Sequence, residues 1–270
     1  MTGILKDFSE EKVIKGIKAN FIECIKYWGK LPQSLIEHEG EIIRMTTGVP
    51  VASLNFITST KPVKGDIDSK IENTIHFFES RKMPCLWWVF PESMSQDFIE
   101  RLEANGFSLR GSVPCMAADL LNSNKEIPMP QGMTIQPVKK QAELEMWAET
   151  SSVGLGVSSS FKEMYMNFIK SFHINDDFKQ RLYLGIYDGE PVATSLLFLI
   201  AGVAEVNLVS TIPSKREKGF GSLITRYSLV DAFKMGYRVG VLESLPKGEN
   251  VYKKLGFREY CRVEIYGKTK

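Results

Sequence analysis

Two short stretches carry residue types and spacings suited to chemistry. The first is Arg216-Glu217-Lys218-Gly219-Phe220-Gly221. It follows an apolar run, Val203 to Val209, that reads as a strand, and a turn at Ile212-Pro213-Ser214. After Gly221 the chain runs to Met235 without Pro or Gly, with Leu223, Ile224, Tyr227, Val230, Ala232 and Phe233 at roughly helical spacing. The two glycines therefore fall where a strand has turned and a helix begins. Glycine there lets backbone N–H groups approach an anion with no side chain in the way. A helix start adds unsatisfied donors and the positive end of the helix dipole. The chemistry this allows is the cradling of a phosphate. Lys215, Lys218 and Arg226 either stand near such a phosphate or are ordinary solvated charge, and a Gly-x-Gly before a helix also suits a plain tight turn.

The second stretch is Val251-Tyr252-Lys253-Lys254-Leu255-Gly256-Phe257. Arg-x-x-Gly-x-Gly, then a helix and a strand, then Tyr-x-x-x-Gly-Phe, resembles the GNAT superfamily of acyl-CoA-dependent N-acyltransferases. The resemblance covers roughly residues 133 to 270. The pair of motifs is fairly specific for coenzyme A and says little about the acceptor.

The resemblance implies acetyl-CoA held in a V-shaped gap between two splayed parallel strands, here Val203 to Thr211 and Arg238 to Leu242. Leu208, Val209, Ser210 and Thr211 would lie along the pantetheine arm, which pairs with the strand as an added strand would. Backbone donors of Arg216, Glu217, Lys218, Gly219, Phe220, Gly221 and Ser222 would hold the pyrophosphate. Attack of an amine on a thioester needs a neutral amine, donors at the developing oxyanion and a proton for the leaving thiolate. A backbone N–H near Val209 is the oxyanion candidate. Tyr252 is the candidate acid and cofactor contact, since a phenol of pKa ~10 can protonate a thiolate whose thiol has pKa ~8.5 to 9. Many family members have an Asn seven residues before the tyrosine; this chain has Leu245 there, and Ser244 is the candidate substitute.

The general base has several readings. Glu205 precedes Val209 by four residues, and strand alternation puts Glu205, Asn207 and Val209 on one face. The spacing to Arg216 resembles the histone-acetylating branch, in which a strand glutamate deprotonates the acceptor. Its other reading is a solvated strand-end carboxylate. Glu243 is a second candidate, and a water chain with no dedicated base is a third.

Length and composition set the frame. The 270 residues suit one large or two small domains, and a 43% apolar fraction is ample for packed cores. The formal charge of +2 argues against a nucleic-acid partner or an anionic membrane. Cys24, Cys85, Cys115 and Cys261 form no Cys-x-x-Cys and suit reduced thiols in a cytoplasmic protein. Charges run through residues 1–18, as no signal peptide does, and no apolar run reaches the ~20 residues of a membrane span. His38, His76 and His173 have no metal-ligand spacing, so no metal is expected.

The elements that must position these residues read as α/β (α+β), in two GNAT-like domains. Each is expected as a mixed, mostly antiparallel twisted sheet flanked by helices, with the splayed pair in the second. Residues 121–133, rich in Pro, Asn and Gly, mark a linker, set at 123–132 between domains 1–122 and 133–270. Two echoes suggest divergent copies: Gly48-Val49-Pro50-Val51-Ala52 with Gly189-Glu190-Pro191-Val192-Ala193, and Asn105-Gly106-Phe107 with Leu255-Gly256-Phe257. The first half has lost the chemistry. Lys64-Gly65-Asp66-Ile67-Asp68 replaces the cradle, its aspartates would repel a pyrophosphate, and Leu102 stands where Tyr252 stands. Lys61 to Lys70 reads as turn-rich, with a helix from Ile71.

The expected function is N-acetyltransfer from acetyl-CoA to a primary amine of a small molecule or peptide, in a monomer or homodimer. The rivals are a non-catalytic acyl-CoA-binding module, which needs no Tyr252, and a tandem aminoacyl transferase, against which the intact loop counts.

Overall fold

The computed structural model describes residues 3–174, 179–245 and 248–268. They form two compact units. One comprises Met1–Asn20 and Cys115–Tyr260, the other Phe21–Pro114 and Cys261–Lys270. The units are interleaved along the chain, whereas the sequence suggested a serial break at 123–132.

The helix α1 (Glu10–Trp28) contributes its first part to one unit and its last part to the other. The smaller unit then holds β1 (Leu35–Glu39), β2 (Ile42–Thr46), β3 (Asn55–Ser59), α2 (Ile67–Glu79), β4 (Leu86–Val89) and α3 (Gln96–Ala104). β1 to β3 form an antiparallel meander, and β4 joins β3 in parallel. The core of this unit gathers Ile57, Trp87, Val89, Phe98, Leu102 and Phe107. Trp87, fully buried on β4, packs edge-on against Phe98 and Phe107.

The strand β5 (Phe107–Asp119) passes from this unit into the larger one. The larger unit continues with β6 (Met133–Pro137), α4 (Gln141–Leu155), α5 (Ser159–Lys170), β7 (Gln180–Tyr187), β8 (Glu190–Ile200), β9 (Val203–Thr211), α6 (Phe220–Lys234), β10 (Val239–Glu243) and α7 (Glu249–Lys254). β6 to β9 are antiparallel neighbours in order, and β10 joins β9 in parallel. The last strand, β11 (Arg258–Lys268), runs back into the smaller unit.

The two units thus repeat one order: antiparallel strands, a helix, a parallel strand, a short helix. Each sheet is completed by a strand of the other half. Residues 115–119 of β5 pair with β10, and residues 264–267 of β11 pair with β4. This exchange is why the units do not follow the expected halves.

The repeat also corrects one echo. Gly189, φ +82°, turns between β7 and β8, and its structural counterpart is Gly40, φ +58°, between β1 and β2. Gly48 lies between β2 and β3, so its likeness to the 189–193 segment is coincidental. The other echo is structural: Gly106 and Gly256 both follow the short helix with φ near +82° and +92°. The segment 61–70 is not all turn, because α2 starts at Ile67.

Candidate active site

β9 and β10 are paired at only two positions, Gly240↔Ala204 and Val241↔Glu205. Beyond them β9 continues to Thr211 and β10 to Glu243 with no further pairing between the two. The strands therefore diverge from an apex at Glu205, and the ladder between them stops there.

A bulge shapes the free arm of β9. β8 pairs with β9 as Thr194↔Ser210 and then Leu196↔Asn207, so Leu208 and Val209 together oppose Ser195. Leu208 takes φ +46°, a left-handed conformation that costs a non-glycine residue on the order of 1–3 kcal/mol. Local contacts hold it. The Asn207 amide donates to Glu205 Oε1 at 2.8 Å, and Asn207 Oδ1 accepts the Leu208 N–H at 2.7 Å. The Thr194 hydroxyl donates to the Leu208 carbonyl at 3.3 Å and lies 2.7 Å from Ser210 Oγ.

The bulge revises the expected face alternation. Ala204 and Val206 pack into the core under α6, and Val209 packs against that same core. Glu205 and Asn207 face the other side, and Ser210 turns toward α4, where a Cβ on Gly154 would come within 2.4 Å of its Oγ. Val209 is thus not on the face of Glu205 and Asn207. Glu205 is 1% exposed, which removes the reading of a solvated carboxylate.

α4 ends where this bulge begins to need support. The helix runs through Gly154 and stops at Gly156, φ +71°. Glycine at 154 permits the helix backbone to lie against Ser210. Arg216 fastens the contact: its guanidinium donates to the Gly154 carbonyl at 2.9 Å and the Thr211 carbonyl at 3.2 Å. Two of the five Arg216 side-chain donors are thus spent on the scaffold, and the exposed guanidinium keeps the rest.

The cradle is built as the glycines require. A short turn of 3-10 helix, Pro213–Lys215, leads into Glu217 at φ +65° and Gly219 at φ +81°. Gly219 is the N-cap of α6 and supplies no side-chain cap, and the first helical bond is Leu223 N–H to the Gly219 carbonyl at 3.0 Å. The N–H groups of Phe220, Gly221 and Ser222 are left without helical acceptors. A Cβ added at Gly219 would meet nothing within 4 Å, and one at Gly221 only Thr211 Oγ1 at 3.5 Å. The space over the cradle is open. Lys215 does not face it: its Nζ lies 2.9 Å from Glu190, whose hydrogen bond raises the lysine pKa.

The equivalent place in the smaller unit is filled from within. The Asp66 side chain accepts the Ser69 N–H at 3.0 Å and caps α2, while Asp68 pairs with Arg101. Leu102, the counterpart of Tyr252, is fully buried.

Tyr252 stands on α7. Its ring lies beside Gly248, where a Cβ would approach Cε2 to 2.9 Å, and meets Phe257 edge-on with centroids 5.9 Å apart. Burial raises the phenol pKa. Among the described residues its hydroxyl has no hydrogen-bond partner, so the proton is not committed within the chain. Ser244 departs from expectation: it is fully buried, and its hydroxyl donates to the Leu245 carbonyl at 3.0 Å. Its neighbour Leu245, at the position of the family asparagine, is 70% exposed. Pro246 and Lys247, between Leu245 and α7, lie outside the described residues.

No family model and no curated protein matches the sequence. Solved structures do. A GCN5-related N-acetyltransferase from Kribbella flavida matches with TM-score 0.70 and 21% identity over 93% of this chain and 96% of that one. A GCN5-related N-acetyltransferase from Sphaerobacter thermophilus matches with TM-score 0.64 and 14% identity over 92% and 84%. A tandem GNAT protein from the clavulanic acid biosynthesis pathway matches with TM-score 0.60 and 12% identity over 98% of this chain and 96% of its own. The chain has the tandem GNAT fold. Its splayed pair, bulge and uncapped helix start all lie in one GNAT-like unit. The other unit keeps the order of elements with its helix start capped. Among the described residues no group of three or more His, Cys, Asp or Glu could hold a metal, and no helix is long and apolar enough to cross a membrane.

Several of these residues escaped the sequence. Thr194 carries no signal at all. Gly154 does: a glycine inside a helical pattern often marks close backbone approach.

Proposed function

We propose that this protein transfers an acetyl group from acetyl-CoA to a primary amine by direct attack of the amine. The observation that carries the reading is the parting of β9 and β10 beyond Val241↔Glu205 beside a helix that starts with no side-chain cap. The residues fit acetyl-CoA, because the open space above Gly219 and Gly221 admits a phosphate to bare N–H groups. When bound, acetyl-CoA supplies the thioester carbon that the amine attacks. The backbone of Leu208 to Thr211 would hold its arm, and that of Arg216 to Ser222 its pyrophosphate.

The chain's own residues then divide the work. The bulge frees backbone near Val209 from the ladder, which suits an N–H to stabilise developing negative charge. Tyr252 holds a proton for the departing sulfur, and its raised pKa keeps it protonated through the neutral range. Glu205, at the apex on the face away from α6, is the carboxylate assigned to take the amine proton. The smaller unit, with Asp66 and Asp68 in place of a cradle, is assigned no cofactor.

Calorimetry on Gly221→Val tests the reading. Gly221 has an ordinary helical backbone and only one neighbour near its Cβ, so the fold does not demand glycine there. Acetyl-CoA affinity should fall at least tenfold, about 1.4 kcal/mol. Unchanged affinity in a folded variant refutes the cradle. Coenzyme A release across a panel of amines then identifies the acceptor.

A further inference from the structure

The core demands a bulge on β9 but does not fix its internal geometry. Val206 and Val209 are three positions apart, yet both pack toward the core under α6. A strand whose side chains alternate can do this only with one extra residue between them. Leu208 sits there, and side chains take both of its backbone groups. Asn207 Oδ1 accepts its N–H at 2.7 Å, and the Thr194 hydroxyl donates to its carbonyl at 3.3 Å.

Thr194 reaches this carbonyl from β8 and is fully buried. Its hydroxyl has one proton. A carbonyl cannot donate, so that proton goes to Leu208, and Ser210 Oγ, 2.7 Å away, gives its own to Thr194. Gly154 lies close against Ser210, with room for no side chain of its own. The bond to Leu208 is longer than most hydroxyl bonds, so it aims the carbonyl more than it stabilises the fold.

The carbonyl of Leu208 and the N–H of Val209 belong to one peptide unit. Among the described residues no peptide bond is cis, so the two groups point in opposite directions within one plane. With its carbonyl turned toward Thr194 on β8, this peptide sends the Val209 N–H away from β8. The neighbour of β9 on that side is β10, and the ladder to it has already stopped at Val241↔Glu205. The N–H therefore faces the gap between the parted strands. A donor at the carbonyl also polarises the peptide, which makes its N–H the stronger donor.

We infer that Thr194 is a positioning residue for the oxyanion site: its hydroxyl aims and polarises the Leu208–Val209 peptide so that the Val209 N–H meets the thioester carbonyl. This rests on the acetyl-CoA reading above and goes beyond it by giving a buried residue of the neighbouring strand a part in turnover.

The test observes the thioester itself and requires no acceptor. Acetyl-CoA isotopically labelled at the acetyl carbonyl is bound to the protein, and infrared difference spectra follow its carbonyl stretch. On the wild-type protein the stretch should move to lower frequency, as a hydrogen bond to the carbonyl oxygen requires. Thr194→Val keeps the branched shape and removes the hydroxyl. It should lose most of that shift while binding acetyl-CoA within about threefold of wild type, since the cradle is untouched. Thr194→Ser returns the hydroxyl and should return the shift. With the amine that the acceptor panel identifies, the single-turnover rate of Thr194→Val should fall at least tenfold, less than the roughly 10²–10³ lost when an oxyanion donor is removed outright. A shift that persists in Thr194→Val, with only the melting temperature lowered, assigns Thr194 to packing and overturns the inference. Loss of the shift in Thr194→Ser as well assigns the effect to shape and also overturns it. No shift on the wild-type protein despite binding overturns the inference and leaves the acetyl-CoA reading standing. Failure of acetyl-CoA to bind the wild-type protein overturns both. Should Thr194→Val not fold, Thr194→Cys, whose thiol is a weak donor, takes its place with the same expected loss.

Discussion

Replacing Tyr252 with Phe separates chemistry from packing unusually well, because the structure gives the ring and the hydroxyl different surroundings. The ring contacts Gly248 and Phe257, and Phe preserves both contacts. The hydroxyl has no hydrogen-bond partner among the described residues. Its removal therefore forfeits none of the 0.5–1.5 kcal/mol that a typical intramolecular bond contributes, and stability should stay within about 0.5 kcal/mol of wild type. If the hydroxyl protonates the departing thiolate, the chemical step should slow by roughly 10²-fold, about 2.7 kcal/mol of barrier. Acetyl-CoA affinity should hardly move. Single-turnover rates are the measurement to make, because product release would hide the effect in steady-state kcat. A Phe variant with the wild-type single-turnover rate rejects the acid role. A variant that loses well over 1 kcal/mol of stability contradicts the description of a hydroxyl without internal partners.

Three further outcomes are expected. Glu205→Gln retains an oxygen to accept from Asn207 while removing the proton acceptor, so kcat/KM near neutral pH should fall roughly 10²-fold if Glu205 is the base; an unchanged pH–rate profile would reject that role. Asp66→Ala should cost about 1 kcal/mol through loss of the cap on α2 and should not create a second cofactor site, so calorimetry returning two acetyl-CoA per chain would sink the reading of the smaller unit. Burial raises the pKa of Tyr165, Tyr183 and Tyr252 above that of a free phenol. The fold thus keeps these phenols neutral, the unfolded chain releases their protons near pH ~10, and melting temperature should be steady below that pH and fall as pH rises through it. A melting temperature that does not change between neutral pH and well above ~10 contradicts this.

The cradle was legible because its backbone demands are written as residue types. Gly219 at φ +81° is a position that favours glycine, and a strand before it with a helix after it fixes the context. The different helix start in the smaller unit was legible in part: Asp66 and Asp68 stand out by charge, and Asp66 accepts the Ser69 N–H as the cap of α2. The bulge was not legible. Leu208 has no distinctive type, and its conformation is held by Asn207 and Thr194, which no local pattern links to it. β1 went unread because Leu35–Glu39 is short and largely exposed, without clean alternation. Gly48 misled because a matching word sat at a different turn. The interleaving of the two units left no trace in the sequence, since strand pairing across the chain depends on register with a distant partner and not on local composition.

That interleaving constrains how the protein can be made. β4 leaves the ribosome early, yet β11, the strand that flanks it, is made only after all the strands from β5 to β10. The sheet of the smaller unit therefore cannot finish until β11 has been made. Domain-by-domain folding during translation, the usual protection for long chains, is closed to it, and the nascent half must carry an open β4 edge until β11 emerges. The charges on β1 and the capped start of α2 do nothing for that edge. Its exposure is brief only if β11 arrives quickly, so codon changes that slow translation of the second half should raise aggregation of newly made chains without altering a single residue.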